Sequence, residues 1–400
     1  MTIGIFTDTY HPQISGVDTS IKILCRGLRA LGHRPIIFTT TDPGAKEPET
    51  DVYRLPSVPF MFLPSRRVAF LFPPRLLSGL KSLKLDIIHT QTEFSMGYFG
   101  KMAAGLLGLP LLHTYHTMYE NYTHYVAGGR LLTPNWARRF SRNFCNGATA
   151  VTTPTDKMRE LLIQYGVRKP VHAIPTGIEF DRFMPGLYSQ EEILMARAEF
   201  GLGPEDPVLV TVGRVAKEKG MDKVIRALPL ILEELPEVKY LAVGDGPYVS
   251  ELKILAQSLG VSKSVIFAGP RPWSVIGKYY QAGDIFVSAS TTETQGIAYI
   301  EAMAAKVPLV VKRDRSVEDI LLDGETGLFF DTKEELATKA LSLLNDPARR
   351  QALAQKAWDH IQPLSADIFA QKIADLYQEL IDNFQGGWKR IALRLPVRKK

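Results

Sequence analysis

The sequence predicts an α/β protein of two doubly wound, Rossmann-like domains, and three observations carry that expectation. The chain has 400 residues, more than one ordinary hydrophobic core organises. Short apolar runs alternate with helical segments along its whole length. The alternation stops near the middle and starts again.

The first series of runs is Ile3–Phe6, Pro35–Thr39, Asp86–Thr90, Leu111–Tyr115 and Ala148–Thr152. The second is Val208–Val212, Tyr240–Val243, Val265–Phe267, Ile285–Ser288 and Pro308–Val311. Near-continuous apolar runs of this length fit strands buried on both faces of a parallel sheet. Two series imply two doubly wound domains with a cleft between them. The break falls near Pro185–Gly186, giving one domain over 1–185 and a second over 186–365. Helices at about Pro347–Ile361 and Ala366–Asn383 close the chain, and 366–400 reads as a helix crossing back to the first domain, then a basic tail.

Hydrophobic content of 45% with 22% charged residues excludes a disordered chain. The two cysteines, Cys25 and Cys145, have no CxxC or metal-type spacing, so a reducing cytosol is expected. The chain opens directly into a strand with no basic-then-apolar leader. No apolar run approaches the roughly 20 residues that span a bilayer, so a soluble or peripheral protein is expected. The net charge of +6 is uneven: residues 1–185 carry +8, residues 186–385 carry −8, and the last fifteen carry +6. A basic first half and a basic tail suggest an anionic partner, lipid or nucleic acid.

Gly213-Arg-Val-Ala-Lys-Glu-Lys-Gly220 follows a strand and opens a helix. Arg214 and Lys219 beside a helix start suit a diphosphate, although a solvated basic turn would look the same. Glu293-Thr-Gln-Gly-Ile-Ala-Tyr-Ile-Glu301 adds two carboxylates on either side of a Gly turn, each able to accept vicinal sugar hydroxyls. Amides of Gly296 and Ile297 at that helix start would point at an anion. In isolation, the pair could equally be surface glutamates.

Together these motifs, with Val243-Gly-Asp-Gly-Pro247 and Asp323-Gly-Glu-Thr-Gly327, resemble the retaining GT-B glycosyltransferases of family 4 over nearly the whole chain. The resemblance implies a nucleotide-sugar donor. Arg214 and Lys219 would neutralise its diphosphate, Glu301 would hold the ribose, and Glu293 the transferred sugar. One departure is Lys306, where the family often has Gly.

Tyr10-His-Pro-Gln-Ile-Ser-Gly-Val17 follows the first strand and looks like the family's Gly-containing loop. Gly16 would admit the donor phosphate and Ser15 the acceptor; a plain strand-to-helix turn is the bland reading. His113-Thr-Tyr-His-Thr-Met-Tyr-Glu-Asn-Tyr-Thr-His-Tyr125 crowds three histidines and four tyrosines into one stretch. Metal ligation lacks a matching Asp/His pair, and aromatic packing under a loop accounts for some of these residues. The stretch resembles bacterial diacylglycerol glucosyltransferases, which implies His116 beside sugar and hydroxyl, with Tyr115, Tyr119 and Tyr122 on the acceptor.

That resemblance implies transfer of glucose from UDP-glucose to the 3-hydroxyl of 1,2-diacylglycerol, at the cytoplasmic face of the plasma membrane. The reaction would be front-face, the leaving diphosphate accepting the proton, with no prosthetic group and no metal. No Asp-x-Asp occurs in the sequence. Lipid would be met by Arg66, Arg67, Phe70 and Phe72, and by Trp388, Lys389, Arg390 and Arg394 of the tail. An ordinary core helix and a disordered end are the competing readings of these segments.

Other functions stay open at this point: a different sugar, a soluble or polyprenyl-linked acceptor, or a nucleotide-sugar epimerase of the same fold. A nucleic-acid binder is supported by charge alone, and no recognised motif for it occurs.

Overall fold

The computed structural model describes residues 1–12, 15–45, 49–61, 63–69, 79–120 and 133–384, with the backbone only at 63–66. Of the residues singled out above, Phe70, Phe72, Tyr122, Trp388, Lys389, Arg390 and Arg394 lie outside the described residues, as does the side chain of Arg66. The chain forms two compact units, one from Met1–Gly177 with the segment beginning at Ala366, the other from Ile178–Ser365.

The first unit contains β1 (Thr2–Phe6), α1 (Gly16–Ala30), β2 (Arg34–Thr40), β3 (Val52–Leu55), β4 (Ser57–Phe60), β5 (Leu63–Ala69), β6 (Ile87–Thr90) and α2 (Ser95–Leu107). It continues with β7 (Leu111–Thr114), α3 (Pro134–Cys145), β8 (Ala150–Thr153), α4 (Asp156–Gln164) and β9 (Val171–Ala173). A seven-stranded parallel sheet runs β3-β2-β1-β6-β7-β8-β9, and β4 with β5 makes a separate antiparallel hairpin. Successive strand residues alternate between two cores. Ile3, Ile5, Ile87 and Leu112 pack with Leu24 and Leu28 of α1. Phe6, Phe38, Ile88 and Val151 pack with Phe99 of α2 and Leu162 of α4. Burial on both faces is why these strands read as unbroken apolar runs.

The second unit contains α5 (Gln190–Ala198), β10 (Val208–Val212), α6 (Met221–Glu234), β11 (Lys239–Val243), α7 (Val249–Ser258), β12 (Val265–Gly269), α8 (Ile276–Gln281) and β13 (Ile285–Ser288). After these come α9 (Ile297–Ala304), β14 (Leu309–Lys312), α10 (Arg315–Glu318), β15 (Leu328–Phe330), α11 (Lys333–Leu344) and α12 (Pro347–Ile361). Its six-stranded parallel sheet runs β12-β11-β10-β13-β14-β15. The chain then returns to the first unit as α13 (Ala366–Asn383), which lies against α1. The approach is close, since a Cβ on Gly27 would sit 2.3 Å from that of Ala370.

Strand order reverses between β1 and β6 in one sheet and between β10 and β13 in the other. In open α/β sheets, the loops leaving the carboxyl ends of such strand pairs diverge and leave a crevice for ligands. The loop after β10 is the Gly213–Gly220 segment, and the loop after β13 leads into Glu293–Gly296.

Backbone packing fixes the first of these loops. Gly213 N donates to Val243 O and Val215 N to Asp245 O, each at 2.9 Å. A Cβ on Gly244 would fall 1.9 Å from Gly213 O, and one on Gly246 would fall 2.2 Å from Val215 O. The Val243-Gly-Asp-Gly-Pro247 motif is therefore a brace for its neighbour. The Asp323–Gly327 motif is also structural: the Asp323 carboxylate accepts Phe329 N at 2.9 Å and Arg313 at 2.8 Å, setting the start of β15. Lys306 stands just beyond α9 at φ 54, the left-handed conformation that stops a helix and favours Gly. Its ammonium reaches Gln355 at 2.8 Å, so the departure lies in a helix stop.

Gly244→Ala is expected to cost about 3 kcal/mol, a fall of roughly 6–12 °C in melting temperature for a unit of this size. Gly32→Ala, also at positive φ but with open space around it, should cost only about 1 kcal/mol. Thermal unfolding of the two variants checks this. Equal losses would show that the backbone stack is not tight.

Candidate active site

In the second unit, the loops after β10 and β13 meet side by side. Gly220, at φ 67, lies so close to Ala289 O that a Cβ would come within 2.4 Å of it. This proximity brings Lys219 Nζ to 2.7 Å from Glu293 Oε1. Burial pushes the Glu293 carboxyl up, but Lys219 and a hydrogen bond from Ser290 outweigh it, and the net shift is below the ordinary value. Arg214 leans over the same loop, its Nη1 3.7 Å from Glu218 Oε1.

Two helices begin beside the pair. Gly220 precedes α6 and Gly296, at φ 75, precedes α9, and neither start carries a side-chain capping bond. Lys223 N and Tyr299 N already bond Gly220 O and Gly296 O, at 3.0 and 2.9 Å, so it is the leading amides, Ile297 among them, that an external acceptor can meet. Lys219, Arg214 and two uncapped helix starts lie together, with the carboxylates of Glu293 and Glu218 beside the two cations.

Glu301 lies on α9 and is almost fully buried. Its carboxylate accepts Tyr280 Oη at 2.5 Å. Burial pushes it up to about 7, against hydrogen bonds from Tyr280 and Trp273 that pull it down. Two glutamates on one motif therefore stand in different protonation regimes near neutral pH.

In the first unit, the carboxyl ends of β6, β7 and β8 carry an extended polar network. His116 Nε2 donates to Gln91 Oε1 at 2.7 Å. Gln91 in turn contacts His89, whose ring bonds Tyr377 Oη of α13 at 2.6 Å and Thr114 Oγ1 at 2.7 Å. Burial, with His113 nearby, pushes His116 down to about 3, so its imidazole is neutral at physiological pH. A parallel chain links His113 to Glu93 at 3.2 Å, and Tyr119 donates to the other oxygen of the same carboxylate.

The expectation for Tyr115 needs correction. Its side chain is completely buried in the core on the α2 and α4 side, and its hydroxyl is paired with Ser141 at 3.0 Å. It packs beneath the loop and cannot touch an acceptor. Ser15 caps α1 by accepting Asp18 N at 3.2 Å, which places Gly16 in the first turn. Arg67 is turned onto its own hairpin, bonding Ser57 O at 2.7 Å.

Sequence reasoning missed Asp8, Gln91 and Glu93, all buried. Asp8 accepts Thr92 Oγ1 at 2.6 Å, Met96 N at 3.0 Å and the Ser95 hydroxyl, and so ties the loop after β1 to the start of α2. Their common signal was polar residues placed directly after apolar strands. Among the described residues, no group of three or more His, Cys, Asp or Glu is placed to hold a metal ion, and no helix is long and apolar enough to cross a membrane.

Comparison with known proteins gives the family. Residues 14–182 match the family described as Glycosyltransferase Family 4, and residues 194–360 match Glycosyl transferases group 1. The alpha-monoglucosyldiacylglycerol synthase of Streptococcus pneumoniae is 38% identical over 96% of this chain and 88% of that protein. Its namesake from Acholeplasma laidlawii is 34% identical over 96% of this chain and 98% of that one. The chain belongs to glycosyltransferase family 4.

Solved structures place this family 4 enzyme in the GT-B fold. Anabaena HepE in complex with UDP and glucose superposes with a TM-score of 0.76 at 19% identity, covering 95% of this chain and all (100%) of that one. Sucrose-phosphate synthase from Thermosynechococcus elongatus gives 0.75 at 22% identity, covering 95% and 99%.

Replacing Lys219 by Met in this glycosyltransferase leaves the Glu293 carboxylate buried without its cation. In the wild type, the folded-state value lies below the ordinary 4.5, so the stabilisation is complete above 4.5 and is lost as pH falls through the folded value. Without Lys219, only the Ser290 hydrogen bond opposes burial, the folded value rises, and stability is lost as pH rises above about 4.5. The variant should be destabilised by about 1–3 kcal/mol at pH 8 and by less at pH 5. Unfolding curves at the two pH values read this, and parallel losses would show that Lys219 does not offset the burial of Glu293.

Proposed function

We propose that this chain transfers glucose from UDP-glucose to the 3-hydroxyl of 1,2-diacylglycerol, with retention of configuration, at the cytoplasmic surface of the plasma membrane. The observation that carries the reading is the Lys219–Glu293 pair set between two uncapped helix starts at the switch point of the second sheet. The names of the two synthases and the UDP-glucose complex of HepE support the choice of acceptor and donor.

In this reading, Arg214, Lys219 and the Gly296–Ile297 amides bind the donor diphosphate. These cations and amides are present before the reaction and gain strength as the glycosidic bond breaks and negative charge moves onto the leaving phosphate. That phosphate oxygen takes the proton of the incoming hydroxyl, which attacks from the same face. The positive charge that a divalent cation supplies in other transferases comes here from side chains and helix ends.

Glu293 holds the sugar hydroxyls while keeping Lys219 in place. Glu301 accepts the ribose hydroxyls. On the acceptor side, His116 works as a neutral imidazole, fixed through Gln91, that orients hydroxyls; with a value near 3 it is a poor base. Tyr119 and Ser15 complete that face, and Gly16 leaves room for backbone approach.

Two measurements test the assignment. Products from mixed UDP-sugars with dispersed diacylglycerol should contain α-glucosyl diacylglycerol, and Lys219→Ala or Glu293→Ala should lower turnover by about 10²–10³-fold with the fold intact. A different hexose, a soluble acceptor or near-normal variant rates would defeat it.

The second concerns pH. Ribose hydroxyls donate to the carboxylate, so UDP favours ionised Glu301, and that form grows as pH rises through about 7. The UDP dissociation constant should fall about tenfold from pH 6 to pH 8, and Glu301→Gln should flatten the dependence. Calorimetry reads both, and pH-independent binding by the wild type would remove Glu301 from the ribose site.

A further inference from the structure

We infer that the outer face of α2 and α3 in the first unit is a docking surface for an anionic lipid bilayer. The inference rests on the lipid acceptor proposed above and adds the part of the protein that meets the membrane. Phe94, Tyr98, Met102 and Leu106 recur every fourth residue along α2, so they form one stripe about 18 Å long on one side of the helix. All four are exposed, Tyr98 by 50% and Leu106 by 58%. The inner residues of the same helix, Met96, Phe99 and Ala103, are fully buried, so the outer stripe is additional to the one that holds the helix in place.

Helix α3 extends this surface. Trp136, 45% exposed, stacks on Phe140 at 5.0 Å, and Phe140 stacks on Phe94 at 6.0 Å. Aromatic rings with apolar bodies and polar edges suit the interfacial layer of a bilayer. Arg138, Arg139 and Arg142 lie on the same helix and line a groove of about 400 Å³ that Tyr165 also borders. Arg138 pairs with Glu120 at 2.7 Å. With Arg138 held by Glu120, Arg139 and Arg142 on the α4 side of α3 would meet phosphate headgroups, while Trp136 and Phe140 on its α2 side would meet the acyl chains.

The stripe also leads to the proposed acceptor site. Phe94 meets Tyr119 edge to face at 5.5 Å, and Tyr119 donates to Glu93 within the polar network of His113. A diacylglycerol could present its hydroxyl to that network while its chains stay at the Phe94 end of the stripe. A soluble acceptor would need no such continuity.

A local probe tests the face independently of any other membrane-binding segment. Cys25 and Cys145 are both buried, so Leu106→Cys can be labelled selectively with an environment-sensitive nitrobenzoxadiazole dye. On adding phosphatidylglycerol-containing vesicles, its emission should rise severalfold, shift to shorter wavelength and be quenched by acyl-chain bromines. The same dye at Ile254→Cys, exposed on α7, should not respond. Arg139→Glu with Arg142→Glu should weaken binding to anionic vesicles at least tenfold, since each cation at such a surface contributes about fivefold.

A silent dye at 106 on protein that sediments with vesicles would overturn the inference. So would a dye signal that follows protein concentration without lipid, which would mark a contact between copies of the chain. Turnover of soluble dioctanoylglycerol by the labelled protein separates the two proposals. Product with a silent dye removes only this docking face; a responding dye without glucosyl product removes only the reading of the reaction.

Discussion

The contact on which the second unit's chemistry depends is between two backbones. Parallel strands on either side of a switch point send their loops apart, and something must then bring charged groups back together. Here it is the stack of Gly213 on Gly244, Val215 on Gly246 and Gly220 on Ala289, each so close that a methyl group would not fit. The stack leaves Lys219 and Glu293 no room to avoid one another. Such a pair loses hydration, and the loss is repaid only when geometry is good and further hydrogen bonds complete the shell, as Ser290 does for Glu293. A charged pair held in this way is a poor way to gain stability, but a good way to keep a cation aimed before a substrate arrives.

The first unit solves a different problem. Its polar groups at the strand ends are neutral or shared, and they are buried. An unpaired buried donor or acceptor costs about 1–3 kcal/mol, so such a set persists only if its members satisfy one another. His89 shows how far this goes, since Thr114, Gln91 and Tyr377 crowd around one ring. Tyr377 comes from α13, nearly 300 residues away in the chain, so the returning helix also sets a ring orientation next to His116. Burial keeps these histidines uncharged, and this suits positioning a hydroxyl better than removing its proton.

The sheets were legible because parallel strands buried on both faces show as apolar runs, and all ten runs named from the sequence contain strands. What escaped were short elements: β3, β9 and β15 have only three or four residues, and β4 with β5 stands apart from the main sheet. The loops after β10 and β13 were legible because glycines and charges at fixed spacing report a loop's geometry. The acceptor side was less so. Tyr115 ends a strand run and was expected on the acceptor, yet period-two alternation from Leu111 puts it on the inward face, and it is there that it packs. Asp8, Gln91 and Glu93 carry no spacing signature; a polar residue after a strand looks the same whether it faces solvent or closes a network. The unit boundary lies at Gly177, because Ile178 pairs with Ser365 and draws the next residues into the second unit.

Charge and polarity then divide along the chain in a way that burial explains. Residues 1–185 carry +8, and the three arginines of α3 belong to that excess. The side of α3 that packs into the core is formed by Ala137, Ser141, Phe144 and Cys145, not by these arginines. Trp136 and the stripe from Phe94 to Leu106 are exposed, although Tyr98 also packs on Phe144 at 5.3 Å. Exposed apolar residues scattered singly are ordinary; five gathered on two adjoining helices, next to a cationic groove and ending at a buried polar network, are not. With diacylglycerol as the acceptor, the polar network would keep its hydroxyl in a dry setting while the stripe left the hydrocarbon in its bilayer, so neither end need be wholly transferred into water.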